Sequence, residues 1–372
     1  MKIAMVTQHA AAFADDVAIT GLTRTLARQG HKVTVFTSKR RNDEPESTTA
    51  DGVTTVRIPA RGANDDPLAQ VPAFTEPLHR RLRRERPDVV HALNWTSGLA
   101  ALSVARELEL PVVQTFSSLG IGEPVPEKAR LRLEPAIGRS AQAVTGTSTA
   151  LVSDLARMGV PRKRVRCIPW GVDTDVFTPE GPAERRNGKP RLLAFSSPTV
   201  REPMETLIWA LTKVPDAELL ITEGTAEPTP SHDEEYRKLA ASIGLSGRVL
   251  FTGPVAHKAL PALIRSADLV LTACAGDPSG QASVEAMACG KPVLAPPSGA
   301  HRDAVVDGTT GLLIPPGRPM VLAQRIRRLL DHPILLEAYG VAGADRARSR
   351  YSWDRIADET VAVYDGAQLA AA

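Results

Sequence analysis

Residues 277–290 read DPSGQASVEAMACG. Two carboxylates, Asp277 and Glu285, stand eight positions apart. Pro278, Gly280 and small residues lie between them, and a small-residue helix carries Glu285 and closes on Gly290. An apolar strand at 269–272 precedes the stretch and another, at 293–295, follows it. A strand, a glycine turn and a helix in that order leave backbone N–H groups where a phosphate can sit. A carboxylate one turn into the helix can accept hydrogen bonds from pentose hydroxyls. A sugar nucleotide is the ligand such a piece would suit.

The same alternation runs outward in both directions. Strands are expected at 2–7, 31–37, 53–58, 89–92, 111–116, 141–147 and 164–168, with helices at 17–29, 72–86, 99–109 and 150–158. The segment 179–190 is polar and rich in Pro and Gly, which reads as a linker. The pattern then restarts with strands at 191–195, 218–222, 249–251 and 311–314 and helices at 204–213, 234–243, 258–266, 320–330 and 334–348. A last helix spans 354–369. Alternating strands and helices argue for parallel sheets covered on both faces. The expected domains are 1–178, the linker 179–190, 191–350, and a closing piece at 351–372. Such sheets bind ligands beyond the carboxyl ends of their strands.

Composition narrows the class. A chain of 372 residues suggests two domains. Its 43% hydrophobic and 23% charged residues are those of a globular protein, and a net charge of +3 is too small to argue for nucleic acid. Cys167, Cys274 and Cys289 have no metal spacing and read as buried small residues of a reducing cytoplasm. The N-terminus enters a strand pattern directly, without a signal-peptide build. No apolar run approaches the about 20 residues of a membrane span. The expectation is a cytoplasmic protein.

Longer motifs carry a resemblance. DAELLI (216–221), GRVLFTGPV (247–255), ADLVLTA (267–273), SVEAMACGKPVLA (283–295) and VVDGTTGLLIPP (305–316) resemble the retaining glycosyltransferases of family 4. IPWGVDTDVFTP (168–179) resembles their interdomain crossing, and ARQGHKVTVFT (27–37) their N-terminal domain. RSRYSWDRIADETVAVY (348–364) resembles their closing helix. The resemblance implies an α/β GT-B fold: two Rossmann-like domains facing a cleft, with the C-terminal helix returning to the N-terminal one. It also implies transfer of a sugar from a nucleoside diphosphate sugar, the co-substrate, to a small-molecule or lipid acceptor. The anomeric configuration is retained and no metal is required. The leaving phosphate can take the acceptor proton, so no general base is named. The Ala-, Arg- and Pro-rich composition suggests a GC-rich, actinobacterial type, where such enzymes serve natural product biosynthesis.

By that resemblance Glu285 holds the ribose, and Gly280, Gln281, Ala282 and Ser283 offer amides to the diphosphate. Val255 joins the donor site, and Asp277 faces the donor sugar in place of the family's Glu. A plain turn and a helix-favoured charge are the simpler alternatives for these residues. Several positions depart from the family. Ser197 stands where relatives carry an Arg, and Glu202 where they carry a Lys. Arg201, one step away, is the substitute cation or a solvated loop residue. Ser117 follows Thr115-Phe116 where relatives place a His. The first loop carries Ala14-Asp15-Asp16-Val17 instead of glycines, so Asp16 faces the acceptor or caps a helix.

These changes thin the positive charge expected around a leaving diphosphate. Two readings therefore stand: an active transferase, or an impaired one that binds sugar nucleotide or partners an active paralogue. A homo-oligomer is a further arrangement the sequence leaves open. A phosphorylase on the same fold would need a pyridoxal phosphate lysine, for which no residue stands out. The basic helix at 79–86 is a solvated face or a membrane rest. His9 and His91 are strand-end residues or ligand contacts, and Trp95 and Trp170 are core or lining residues. Arg302, after His301, is another candidate cation.

Overall fold

A computed structural model describes residues 1–8, 17–39, 44–59, 68–122, 128–196, 202–223, 232–272 and 279–371. The chain divides into two units, Met1–Gly171 with Trp353–Ala372, and Val172–Ser352. Each has its own sheet and its own core.

Unit 1 is built on eight strands: β1 (Lys2–Thr7), β2 (Lys32–Lys39), β3 (Ser47–Ala50), β4 (Val53–Pro59), β5 (Val89–Ala92), β6 (Val112–Phe116), β7 (Ala143–Gly146) and β8 (Val165–Cys167). Their order is β3-β4-β2-β1-β5-β6-β7-β8. All pairs are parallel except β3 with β4, a polar edge hairpin closed by Asp51-Gly52. Both turn residues have positive φ, 50° and 77°, as a two-residue hairpin loop requires. Successive residues of β1 feed opposite faces. Ile3 and Met5 pack beneath α1 (Val17–Arg28) and the last helix, while Ala4 and Val6 pack beneath α2 (Val71–Glu85) and α3 (Trp95–Leu108). Burial on both faces makes a parallel strand apolar throughout.

Two helices of unit 1 differ from expectation, besides the unexpected strand β3. Helix α3 starts at Trp95 rather than 99, because the Asn94 side chain accepts the Ser97 N–H at 2.8 Å and caps it. Helix α4 (Lys128–Ser140) was not expected, since it contains Pro135 and has few apolar positions. Its anchor is a charge. Glu134 is fully buried, and its carboxylate accepts from Arg130 Nε at 2.6 Å and from the Gly120 N–H at 2.9 Å. Helix α5 (Thr149–Arg157) follows β7.

Unit 2 carries β9 (Arg191–Phe195), β10 (Glu218–Thr222), β11 (Val249–Gly253), β12 (Leu269–Leu271), β13 (Val293–Ala295) and β14 (Gly311–Leu313). The order is β11-β10-β9-β12-β13-β14, all parallel. Leu192 and Ala194 of β9 face the core under α6 (Glu202–Leu211), α7 (Asp233–Ser242) and α11 (Pro319–Leu330). Leu193 faces the core under α8 (Leu260–Arg265), α9 (Gln281–Ala288) and α12 (Pro333–Tyr351). Helix α10 (Gly299–Ala304) joins β13 to β14. The strand order reverses between β9 and β12, and that switch point is where doubly wound sheets open a binding crevice.

The segment 179–190 is no free linker. The Glu184 N–H donates to Ala262 O at 3.0 Å, Arg265 Nε donates to Pro182 O at 2.8 Å, and Arg186 bridges to Asp268 at 2.8 Å. Asn187 donates to Glu218, whose carboxylate also pairs with the buried Arg191 at 2.6 Å. The crossings fall instead at 171–172 and 352–353, and 172–178 belongs to unit 2, where Phe177 is buried. The last helix, α13 (Trp353–Ala371), belongs to unit 1. Its Trp353 ring fills a slot formed by Gly21 and Gly171, where a Cβ on either would collide with the indole. No described helix is long and apolar enough to cross a membrane.

Candidate functional site

In unit 2 the site forms where β12 gives way to α9, at the switch point. Gly280 is the N-cap of α9 with φ 68°. A Cβ there would lie 3.0 Å from the Ala300 backbone carbon, so the left-handed turn can pack on α10 only as glycine. The Gly280 N–H makes no hydrogen bond among the described residues. The helix start offers partial positive charge at that point. Of the four amides expected to face a phosphate, two have partners in this structure. The Ser283 N–H donates to Gly280 O at 3.1 Å, a tight first turn, and the Gln281 N–H donates to Ser279 Oγ at 3.2 Å. Ala282 is the second residue of the same helix.

The Ser283 hydroxyl is fully buried. It lies 2.8 Å from Thr272 Oγ1 and 2.9 Å from Nδ1 of the buried His301. This chain ties the end of β12, the first turn of α9 and α10 together. The Ser283 side chain thus fixes the turn.

Glu285 sits one turn deeper and is 4% exposed. Its Oε1 accepts from Gln281 Nε2 at 3.1 Å, a pair on one helix face, and from His257 Nε2 at 2.9 Å. His257 starts the 3-10 turn His257–Ala259 after β11, and its ring lies 5.0 Å from that of buried Phe177. Sequence reading missed His257. Its signal was faint: a histidine two places past Val255, at the end of a strand in a sheet whose strand ends form the crevice. Val255 itself is half-buried and packs against the apolar core. Cys289, at the end of α9, is buried and its thiol is pushed up to about 12 by desolvation, which keeps it protonated. Cys167, in contrast, is only half-buried.

Glu202 is exposed at the first position of α6, where the helix favours a carboxylate. Arg302 is exposed on α10. Asp277, Ser197, Arg201 and Asp16 lie outside the described residues, as do His9, Asp15 and Cys274.

In unit 1, Ser117 follows β6 and is half-buried, and its hydroxyl makes no hydrogen bond among the described residues. The loop that carries it is held by Arg130, which donates to Ser118 Oγ at 2.9 Å, and by the Glu134 carboxylate at Gly120. His91 is an interior residue and no ligand contact. Its Nδ1 lies 2.7 Å from the Tyr364 hydroxyl and its Nε2 2.6 Å from Thr115 Oγ1. Trp95 is buried, and Trp170 is half-buried and packs on the core.

Comparison with known proteins agrees with this layout. Residues 16–171 match the family described as glycosyl transferase 4-like domain, and residues 184–346 match glycosyl transferases group 1. A D-inositol 3-phosphate glycosyltransferase of Acidothermus cellulolyticus is 30% identical over 94% of this chain and 84% of its own. One from Xylanimonas cellulosilytica is 29% identical over 94% and 90%. Among solved structures, sucrose-phosphate synthase from Thermosynechococcus elongatus superposes with a TM-score of 0.85 at 26% identity, covering 98% of both chains. Anabaena HepE, solved with UDP and glucose, has a TM-score of 0.77 at 18% identity over 97% and 98% and shares the fold. With both halves matched in order and relatives aligned along nearly the whole length, the chain belongs to the family 4 glycosyltransferases of the GT-B fold.

Proposed function

We propose that this chain moves a sugar from a nucleoside diphosphate sugar to a small-molecule or lipid acceptor, with retention at the anomeric carbon. The observation that carries the reading is the pairing, at the switch point of unit 2, of the open Gly280 N–H with the nearly buried Glu285 carboxylate one turn deeper. The first suits a diphosphate and the second a pentose diol. The first turn from Gly280 to Ser283 faces the diphosphate, Asp277 faces the donor sugar, and Val255 borders the nucleotide. Arg201 supplies positive charge near the diphosphate in the place left by Ser197. Ser117 and Asp16 face the acceptor. The names of the relatives, D-inositol 3-phosphate glycosyltransferase, support a small polar acceptor. They also favour turnover over the reading as an impaired partner protein.

The test is to incubate purified protein with UDP-, GDP-, ADP- and dTDP-linked glucose and candidate polyol acceptors, and to follow nucleotide release and product anomers by NMR. Release of one nucleoside diphosphate with a retained glycoside is expected. Glu285→Ala is expected to lower turnover at subsaturating donor by roughly tenfold or more, since a charge-assisted hydrogen bond to the bound diol is lost. Silence with every donor, together with no nucleotide binding, refutes the proposal.

A further inference from the structure

We infer that His257 is a positioning residue that sets how Glu285 meets the pentose of the donor. The inference rests on the nucleotide reading above and adds a residue to it. An ionised carboxylate only accepts hydrogen bonds, so the 2.9 Å contact requires His257 to carry its proton on Nε2 and to donate. Gln281 Nε2 donates to the same oxygen at 3.1 Å. Two donors thus converge on Oε1. Oε2 accepts nothing among the described residues and is not sealed from solvent.

A glutamate carboxylate turns about its last torsion in a broad well and would otherwise share its oxygens between any donors nearby. Clamping Oε1 from two sides stops that rotation and presents one fixed oxygen to a vicinal diol. The clamp is itself held. The 3-10 turn is closed by the Ala259 N–H on Ala256 O at 2.8 Å, and the Phe177 ring, 1% exposed, lies against the imidazole at a tilt of 52°. The imidazole edge is partly open, its side chain 33% exposed, so a ligand can reach it. Pre-orientation of this kind raises affinity by removing freedom that binding would otherwise have to freeze.

Calorimetric titration of the full chain with UDP, GDP and ADP identifies the nucleotide held most tightly. The same nucleotide without its 2′ and 3′ hydroxyls is then compared with it on wild type, His257→Ala and His257→Gln. For His257→Ala, affinity for the riboside is expected to fall roughly tenfold, the usual effect of losing a hydrogen bond to a charged group. Affinity for the dideoxy analogue is expected to stay within about twofold. His257→Gln, whose amide can still donate, is expected to recover most of the loss. A merely structural role would weaken both ligands alike, with no selective rescue, and that result overturns the inference. So does an alanine variant that binds the riboside as wild type does, while the nucleotide reading survives. A wild type that takes none of the three nucleotides removes the nucleotide reading and this inference together.

Discussion

His91 links three strands to the last helix through a chain of short contacts: Tyr364 hydroxyl, imidazole, Thr115, Thr145. Complete burial lowers its pKa from 6.5 to about 3. The folded chain therefore keeps His91 neutral in a range where the unfolded chain protonates it. Between pH 6.5 and about 3 the unfolded state binds the extra proton, so stability falls as pH drops through that window. The full slope from one such group is about 1.4 kcal/mol per pH unit. His91→Gln is expected to be less stable at pH 7 but to lose less stability on acidification, measured as urea midpoints from pH 7 to pH 4. Equal acid slopes in the two proteins would contradict the assignment. Gly280 offers a second test at this scale. An alanine must adopt φ near 68° and press on Ala300, so Gly280→Ala is expected to cost about 1–2 kcal/mol and to weaken nucleotide binding. A variant with unchanged melting temperature and affinity would show that the turn relaxes freely.

Among the elements, Trp353 gives the sharpest prediction. Its indole occupies the slot left by two glycines and borders the core shared by β1, β2 and α1. Trp353→Ala should destabilise unit 1 by about 3–5 kcal/mol, as removal of a large buried ring does, read as a lower denaturation midpoint. A loss below about 1 kcal/mol would mean that the slot collapses without penalty. The strands of both sheets were legible in the sequence because burial on two faces writes them as short apolar runs. The runs at 89–92, 191–195, 218–222 and 293–295 are strands with those bounds. Helix α4 was not legible, since its anchor is the carboxylate of Glu134 and its interior holds a proline. Strand β3 was not legible either, since this threonine-rich edge strand has no apolar face to mark it. At the site, Gly280 and Glu285 could be read from one short stretch. His257 could not, because 28 residues separate it from Glu285 and only the fold brings the two together.

At the scale of the whole chain, two sheets with separate cores predict two calorimetric transitions rather than one. A nucleoside diphosphate at a hundred times its Kd should add about 2.7 kcal/mol to the unit that binds it, an upward shift of roughly 5–10 °C. Of the four tryptophans only Trp209 lies in unit 2, so Trp209→Phe leaves a fluorescence signal that follows unit 1 alone. The ligand is expected to move the calorimetric transition that this fluorescence does not track. A shift of the fluorescent transition instead would place the nucleotide on the wrong unit. The route of the chain bears on its birth as well. Helix α13 supplies Ile356, Ala357, Tyr364 and Ala367 to the core beneath β1, yet it leaves the ribosome only after all of Val172–Ser352. Residues 1–171 must therefore wait, with that side of their sheet covered only by α1, while unit 2 emerges behind them. Nascent multidomain chains ordinarily mature from the front. Here unit 1 can close only after unit 2 has been made, and the interval of synthesis between Gly171 and Trp353 is when it is most exposed to chaperones and to aggregation.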